Sequence, residues 1–298
     1  MKWKKHGIIV PAPPPLHWAT SHAALPVVRD SNGSLRLYFS SRDREGRSHI
    51  GAGWLDLGQA SVALDEDPAI TIGSLGAFDD RGVTSSCVVE HAGRWFQYYT
   101  GWNLGVTVPF YLAIGLAVSD DGGRTFEKIS AAPVLGRNDV DPLLTASPSV
   151  LIEGELWRMW YVSASDWHLD NGAPLHRYHV RYAESKDGVA WEPTGRVCID
   201  YRDANETSIA RPCVIKDADL YRMWYSTRGS TYRIGYAEST DGLFWTRKDG
   251  EIKLAPRSGW DSEMQAYPFV FDHSGKRHML YSGNRYGATG IGHATLEE

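Results

Sequence analysis

Ser147-Pro148-Ser149-Val150, leading to Trp157-Arg158-Met159-Trp160-Tyr161, is a stretch that the chain repeats. Its counterparts are Arg211-Pro212-Cys213-Val214 leading to Tyr221-Arg222-Met223-Trp224-Tyr225, and Tyr267-Pro268-Phe269-Val270 leading to Arg277-His278-Met279-Leu280-Tyr281. In each, the last aromatic follows the proline by 13 residues (161−148, 225−212, 281−268). The same interval links Pro26 to Phe39 and Ser86 to Tyr99. The anchors Phe39, Tyr99, Tyr161, Tyr225 and Tyr281 are then 60, 62, 64 and 56 residues apart, so five units of one kind fill the chain. Self-similarity at a regular spacing is the signature of a repeat architecture.

Each unit reads as β. An apolar strand, a polar turn and an alternating strand ending in the anchor are followed by a third strand. That strand carries Ile-Gly-x-Ala or a variant: Ile50-Gly51-Ala52-Gly53, Ile114-Gly115-Leu116-Ala117, Val180-Arg181-Tyr182-Ala183, Ile234-Gly235-Tyr236-Ala237 and Ile291-Gly292-His293-Ala294. In three units an Asp-Gly hairpin turn follows, at Asp121-Gly122, Asp187-Gly188 and Asp241-Gly242. Asp-Gly supplies the positive φ such a turn needs. No unit has a long 3.6-residue periodicity, which excludes a helical solenoid. The expected fold is all-β: one five-bladed β-propeller spanning 1–298, with four antiparallel strands per blade. The fifth unit stops before its fourth strand. Residues 3–10, Trp3 to Val10, match that missing piece and are expected to close the ring as the outer strand of the last blade.

Composition narrows the function classes. A formal charge of −5 with acids and bases interspersed excludes the clustered basic face of a nucleic-acid binder. No apolar run reaches the ~18 residues of a membrane span, so no membrane insertion is expected. Three cysteines, Cys87, Cys198 and Cys213, lack CxxC spacing and read as reduced, buried thiols of a cytoplasmic protein. No histidine pair has tight ligand spacing, so neither a metal nor another cofactor is expected.

In a propeller blade the first strand is innermost, and chemistry sits where the segments leading into the five inner strands converge. Three carboxylates stand at matching heights there. Asp80 and Glu206 lie six residues upstream of the proline position (86−80, 212−206), and Glu263 lies five upstream (268−263). Glycoside hydrolysis needs such a set, with one carboxyl acting as acid and another as base or nucleophile. Glu206 and Glu263 are expected as the acid/base pair, with Asp80 stabilising positive charge. Expected ligand contacts are His22, Arg42, Asp43, Asp79, Trp102, Asn103, Arg211, Arg228, Tyr267 and Asn284. The aromatics offer faces to a pyranose, while the polar groups pair with hydroxyls or anionic substituents. The segment from Ala164 to Arg177, with Trp167, His168 and His176, is expected as a lid loop.

The architecture resembles the superfamily of invertase/levansucrase, arabinanase/xylosidase and mannoside phosphorylase propellers. More closely, several motifs are similar to an uncharacterised bacterial glycosidase-like family linked to surface-polysaccharide genes. These are Phe39-Ser40-Ser41-Arg42-Asp43, Arg47-Ser48-His49-Ile50-Gly51, Phe78-Asp79-Asp80, Gly101-Trp102-Asn103, Ala210-Arg211-Pro212-Cys213-Val214 and Ser258-Gly259-Trp260-Asp261-Ser262-Glu263. The resemblance implies a carbohydrate-active enzyme taking a small sugar or nucleotide-linked sugar. It does not carry over catalytic residues. Arabinanase-like enzymes place Asp before the inner-strand proline in the first and third blades, where this chain has Leu25 and Ser147. Two other readings therefore stay open: a non-catalytic glycan-binding propeller, and a transferase or cyclising enzyme acting on an anionic sugar derivative. The sequence leaves the oligomeric state undetermined.

Overall fold

A computed structural model describes residues 1–255 and 259–297, so Ser258 of the last motif lies outside the described residues. The first strand is β1 (Lys2–Val10). The first unit is the antiparallel meander β2 (Ser21–Ser31), β3 (Ser34–Arg42), β4 (Ser48–Asp56) and β5 (Ser61–Leu64). The second comprises β6 (Gly82–His91), β7 (Arg94–Leu104), β8 (Phe110–Ser119) and β9 (Glu127–Lys128). The third comprises β10 (Thr145–Glu153), β11 (Leu156–Asp170), β12 (Ala173–Ser185) and β13 (Glu192–Ile199). The fourth comprises β14 (Ser208–Asp217), β15 (Leu220–Arg228), β16 (Tyr232–Ser239) and β17 (Thr246–Arg247). After the short β18 (Lys253–Leu254), the last unit comprises β19 (Ala266–His273), β20 (Lys276–Ser282) and β21 (Ile291–Glu297). β1 pairs antiparallel with β21 (Lys2↔Glu297 to Val10↔Ile291), so the N-terminal strand stands as the fourth strand of this unit. Single parallel bridges, Ser48↔Gly82 and Tyr178↔Ser208, join neighbouring meanders, so the pairing counts as sheets of eight, eight and five strands.

The core is distributed between units. One apolar cluster joins Val27 and Tyr38 to Val83 and Trp95, another joins Tyr98 and Leu116 to Val150 and Trp157, and a third joins Trp160 and Tyr182 to Val214 and Met223. A fourth joins Cys213 and Trp224 to Val270, Met279 and Trp3, and a fifth joins Leu280, Ile291, Ile9 and Val10 back to Val28 and Phe39. Each unit thus packs on the next, and the last packs on the first through β1.

The repeated residues now have physical causes. Every inner strand slips register at the proline position, between Ala24/Val27, Ser85/Cys87, Ala146/Ser149, Ala210/Cys213 and Ala266/Phe269. Residues at this bulge adopt positive φ in four units: Leu25 (54°), Ser147 (47°), Arg211 (54°) and Tyr267 (57°). A bulge leaves a backbone N–H unpaired. The hydroxyl that follows the preceding unit's anchor takes it, as in Ser85 N to Ser40 Oγ (3.1 Å), Ser147 N to Thr100 Oγ1 (2.8 Å), Tyr267 N to Ser226 Oγ (2.7 Å) and Leu25 N to Ser282 Oγ (3.1 Å). Only Val162, after the third anchor, has no hydroxyl to offer.

The Asp-Gly turns are staples between units. Tyr38 Oη donates to Gly123 O (2.7 Å), Tyr98 Oη to Gly188 O (2.6 Å) and Trp160 Nε1 to Gly242 O (2.7 Å). The turn aspartates Asp121, Asp187 and Asp241 accept N–H groups of their own turns, so their role is structural. Trp224 Nε1, at the position equivalent to Trp160, is buried without a hydrogen-bond partner among the described residues.

The third-strand glycine makes room for the anchor ring. A Cβ on Gly115 would stand 2.2 Å from the Tyr99 ring, and one on Gly235 2.4 Å from that of Tyr225. Gly115→Ala is therefore expected to cost about 1–3 kcal/mol of unfolding free energy, measured by urea denaturation.

Histidines cross the closing sheet. His6 stacks on His293 at 4.8 Å and His293 on His278 at 5.2 Å, with Nδ1 of His278 3.0 Å from Nε2 of His293. Burial, with His6 and His278 adjacent, lowers the His293 pKa from 6.5 to about 3, and burial also lowers those of His6 and His278. The folded chain keeps these rings neutral, whereas the unfolded chain protonates below about 6.5. This contribution to stability is therefore complete above pH 6.5 and is lost as pH falls below it. His293 alone is expected to cost roughly 2 kcal/mol by pH 5, and denaturant unfolding at pH 7.5 and 5 measures the difference.

Candidate functional site

A cavity of about 330 Å³ opens where the five units meet. The first unit contributes His22, Ala24, Leu25, Ser40, Ser41, Arg42 and Ser48. The second contributes Thr84, Trp102, Phe110 and Leu112, and the third His176 and Tyr178. The fourth contributes Arg228 and Tyr232, and the last Tyr267 and Tyr286.

Two sequence positions supply much of this wall. The residue three after the anchor gives Arg42, Trp102 and Arg228 (42−39, 102−99, 228−225). The residue two before the third-strand Ile or Val gives Ser48, Leu112, Tyr178 and Tyr232 (50−48, 114−112, 180−178, 234−232). The first set was expected. The second was missed, although its register stands in the same repeat. Trp102 is pinned by Nε1 donating to Ser48 Oγ (2.8 Å), and Gly82 passes beneath it where a Cβ would stand 1.8 Å from that nitrogen.

Left-handed backbone aims several of these groups. Outside the strand-connecting turns, the described non-glycine residues with positive φ are His22, the four bulge residues, and Arg285 and Tyr286 (52° and 63°) in the helical turn Asn284–Gly287. Four of these seven (His22, Leu25, Tyr267 and Tyr286) line the cavity. Strained backbone of this kind persists where the surroundings over-determine it.

The third unit's segment from Ala164 to Arg177 is not a loop. It extends the β11–β12 hairpin, paired as far as Asp170↔Ala173. This hairpin carries His176 into the cavity. There His176 stacks on Tyr178 (4.7 Å, 6°), while Trp167 and His176 both pack against Phe110 (5.5 Å each). Tyr178 and Tyr232 share a hydroxyl–hydroxyl hydrogen bond, and the Arg228 guanidinium lies over the Tyr232 ring at 5.3 Å. Tyr267 and Tyr286 stack at 6.5 Å. Burial, with Arg42 nearby, lowers the His22 pKa to about 4, and burial with Arg228 lowers that of His176 to about 4. Near neutral pH the cavity therefore presents two guanidinium cations, two neutral imidazoles, and hydroxyls on aromatic faces.

The carboxylates expected at the funnel are elsewhere. Glu206 is 3% exposed and locked: Arg247 donates to both its oxygens (2.6 and 2.8 Å), Arg202 N donates at 2.6 Å, and Thr227 Oγ1 donates as well. Burial alone would raise its pKa, but the ion pair and hydrogen bonds hold it down at about 2. Glu263 is exposed on the rim, 3.9 Å from Arg285. Asp80 accepts the Gly76 N–H (2.9 Å) and closes a turn. The expectation that the three surround one cavity is corrected. Matching height along the chain did not fix radial direction.

The other expected contacts divide. His22, Arg42, Trp102, Arg228 and Tyr267 line the cavity. Asp43 does not, because it receives Arg47 Nε (2.7 Å) and His49 Nε2 (3.1 Å) in a neighbouring crevice. Asp79 is buried in a latch, accepting Tyr99 Oη (3.1 Å) and Lys128 Nζ (2.6 Å). The latch recurs as Tyr161–Asp141–Arg181, Tyr225–Asp249–Arg247 and Tyr281–Asp261–Lys5. Asn103 sits half-buried on β7 opposite Tyr111. Asn284 is buried and holds the Glu263 and Met264 amides (2.8 and 3.0 Å). Arg211 lies beneath the cavity, outside its lining. Among the described residues, no group of three His, Cys, Asp or Glu could hold a metal ion.

Strand pairing, radial clusters and an axial cavity define a propeller, and solved structures place it among glycosidase-type propellers in fold. The chain superposes on BT0996 in its RGII complex with a TM-score of 0.80 at 18% identity, covering 99% of this chain and 91% of that one. It superposes on a thermostable family-43 glycoside hydrolase (TM-score 0.69, 18% identity, 93% and 90% covered). It also superposes on a structure from the GH130 family of mannoside phosphorylases (TM-score 0.70, 15% identity, 94% and 85% covered). No family model matches the chain. In sequence it is 45% identical over 302 residues to the uncharacterized protein MT1551 of Mycobacterium tuberculosis (strain CDC 1551 / Oshkosh), and 44% identical to Rv1502 of strain ATCC 25618 / H37Rv, covering 100% of each chain in both cases. The chain belongs to the family of these mycobacterial proteins.

Proposed function

We propose that the five units are the blades of one five-bladed propeller domain, and that its funnel binds an anionic sugar derivative: a sugar phosphate, a nucleotide-linked sugar or a uronate. The observation that carries this is the lining itself, with Arg42, Arg228 and a wall of Tyr, Trp and Phe, and no Asp or Glu among the described residues. Aromatic faces suit the C–H face of a pyranose, and guanidinium groups suit phosphate or carboxylate. The glycoside hydrolase and phosphorylase names among the structural neighbours support the sugar part of the reading. Two-carboxylate hydrolysis requires paired acids about 5–10 Å apart across the ligand, and the cavity wall supplies none. A place in polysaccharide metabolism in the cytoplasm belongs to the same proposal; three buried free thiols support the location.

Isothermal titration of the chain with glucose 1-phosphate, UDP-glucose and glucuronate, against glucose and methyl glucoside, tests the reading. At least one anionic ligand is expected to bind, more weakly as salt rises, and well above its neutral counterpart. Equal affinity for neutral and anionic sugars would contradict it.

A transferase or eliminating activity is the second reading. His22 favours it, as a neutral imidazole in the cavity with Nδ1 held 3.0 Å from Ser21 Oγ, an arrangement suited to moving a proton. His22→Asn would then abolish product formation while anionic binding persists.

A further inference from the structure

Beneath the funnel floor lies a charge that no carboxylate balances. Arg211, at the left-handed bulge position of β14, is 1% exposed. Its Nη1 donates to Ser85 O (2.8 Å) and its Nη2 to Pro26 O (2.9 Å), so the side chain reaches from the fourth unit to the second and the first. Among the described residues no Asp or Glu forms an ion pair with it. The ionisable groups nearest its charge are the thiols of Cys213 and Cys87 and the phenol of Tyr267, all neutral near pH 7. Burial lowers the Arg211 pKa to about 10, so the guanidinium stays charged.

Two carbonyls satisfy its hydrogen bonds, yet they only partly offset the cost of burying a full charge. The charge therefore calls for a partner, and the space above it is the cavity. Leu25, the neighbour of Pro26, and Tyr267, which feels the Arg211 charge, both line it.

We infer that Arg211 sets the charge preference of the funnel, acting from beneath the floor as a fixed cation that favours an anionic ligand without touching it. This rests on the reading that the funnel binds an anionic sugar derivative. Arg42 is exposed and Arg228 half-buried, so their attraction is screened by salt, whereas that of a fully buried charge is screened far less. Arg211 is thus a specificity residue, distinct from the contacting arginines.

The test compares wild type, Arg211→Met and Arg211→Lys by titration with glucose 1-phosphate, inorganic phosphate and methyl glucoside at low and high salt. Arg211→Met keeps an unbranched apolar stem and removes the charge. It is expected to weaken both phosphate ligands about tenfold at low and at high salt, leave methyl glucoside unchanged, and leave the salt dependence that Arg42 and Arg228 set nearly as it was, while Arg211→Lys retains most of the anionic preference. Should Arg211→Met fail to fold, Arg211→Gln, which is neutral but polar enough to be hydrated beneath the floor, is judged by the same outcomes. Equal weakening of all three ligands, or no change in the preference, overturns the inference while the funnel reading stands. A wild type without any anionic preference overturns both.

Discussion

Glu206→Ala is expected to lower the unfolding free energy by about 3 kcal/mol and to leave ligand binding in the funnel unchanged. Removing one partner of a buried ion pair strands the other, which typically costs about 3–5 kcal/mol. The lower end applies because Arg247, 16% exposed at its side chain, keeps Asp249 at 2.7 Å. Thr227 and the Arg202 amide also lose their acceptor, and with them the hold on the segment leading into β14. Urea unfolding measures the loss, and titration with the best anionic ligand checks the binding. A variant that keeps its stability but loses turnover would restore Glu206 to the catalytic role its sequence position suggested.

Arg228→Ala is expected to weaken anionic binding by about a hundredfold with little loss of stability. Charge-assisted bonds to phosphate or carboxylate are the strong ones, and truncating a central Arg typically costs about 2 kcal/mol or more. Arg228 comes from the end of β15, where Nε lies 3.3 Å from Thr207 Oγ1 and the guanidinium covers Tyr232. Lysine in its place keeps the charge but loses the planar fork, so it should recover only part of the affinity. A spectroscopic consequence follows for His176. Its pKa is held down by burial and then by Arg228, so the variant should titrate that imidazole at higher pH in NMR.

Much of the architecture was legible because repeat position fixes backbone role. The 13-residue interval located each inner strand and its anchor, and residues 3–10 announced themselves as a missing fourth strand. The site was legible only in part. Arg42, Trp102 and Arg228 could be placed on the cavity wall because they follow the anchor by a constant step, where the second strand ends. Glu206 was misread because the same count gives height along the axis and not the direction of the side chain. Tertiary partners decide that direction: Arg247 lies 41 residues away in sequence and holds the carboxylate outside the cavity lining. Tyr178 and Tyr232 were overlooked as ordinary strand aromatics, although their step before the third-strand Val180 and Ile234 is as regular as the anchor's. The Tyr–Asp–cation latches were invisible for a similar reason. Asp79 and Asp249 fill the same role from opposite ends of their units.

The most direct test of the funnel's charge is a crystal structure of the chain grown with glucose 1-phosphate. Density is expected inside the cavity, with the phosphate on Arg42 or Arg228 and the sugar ring against Tyr267 and Tyr286. Density at Glu206, Glu263 or Asp80 instead, or sugar bound in the funnel with its phosphate turned away from both arginines, would contradict it.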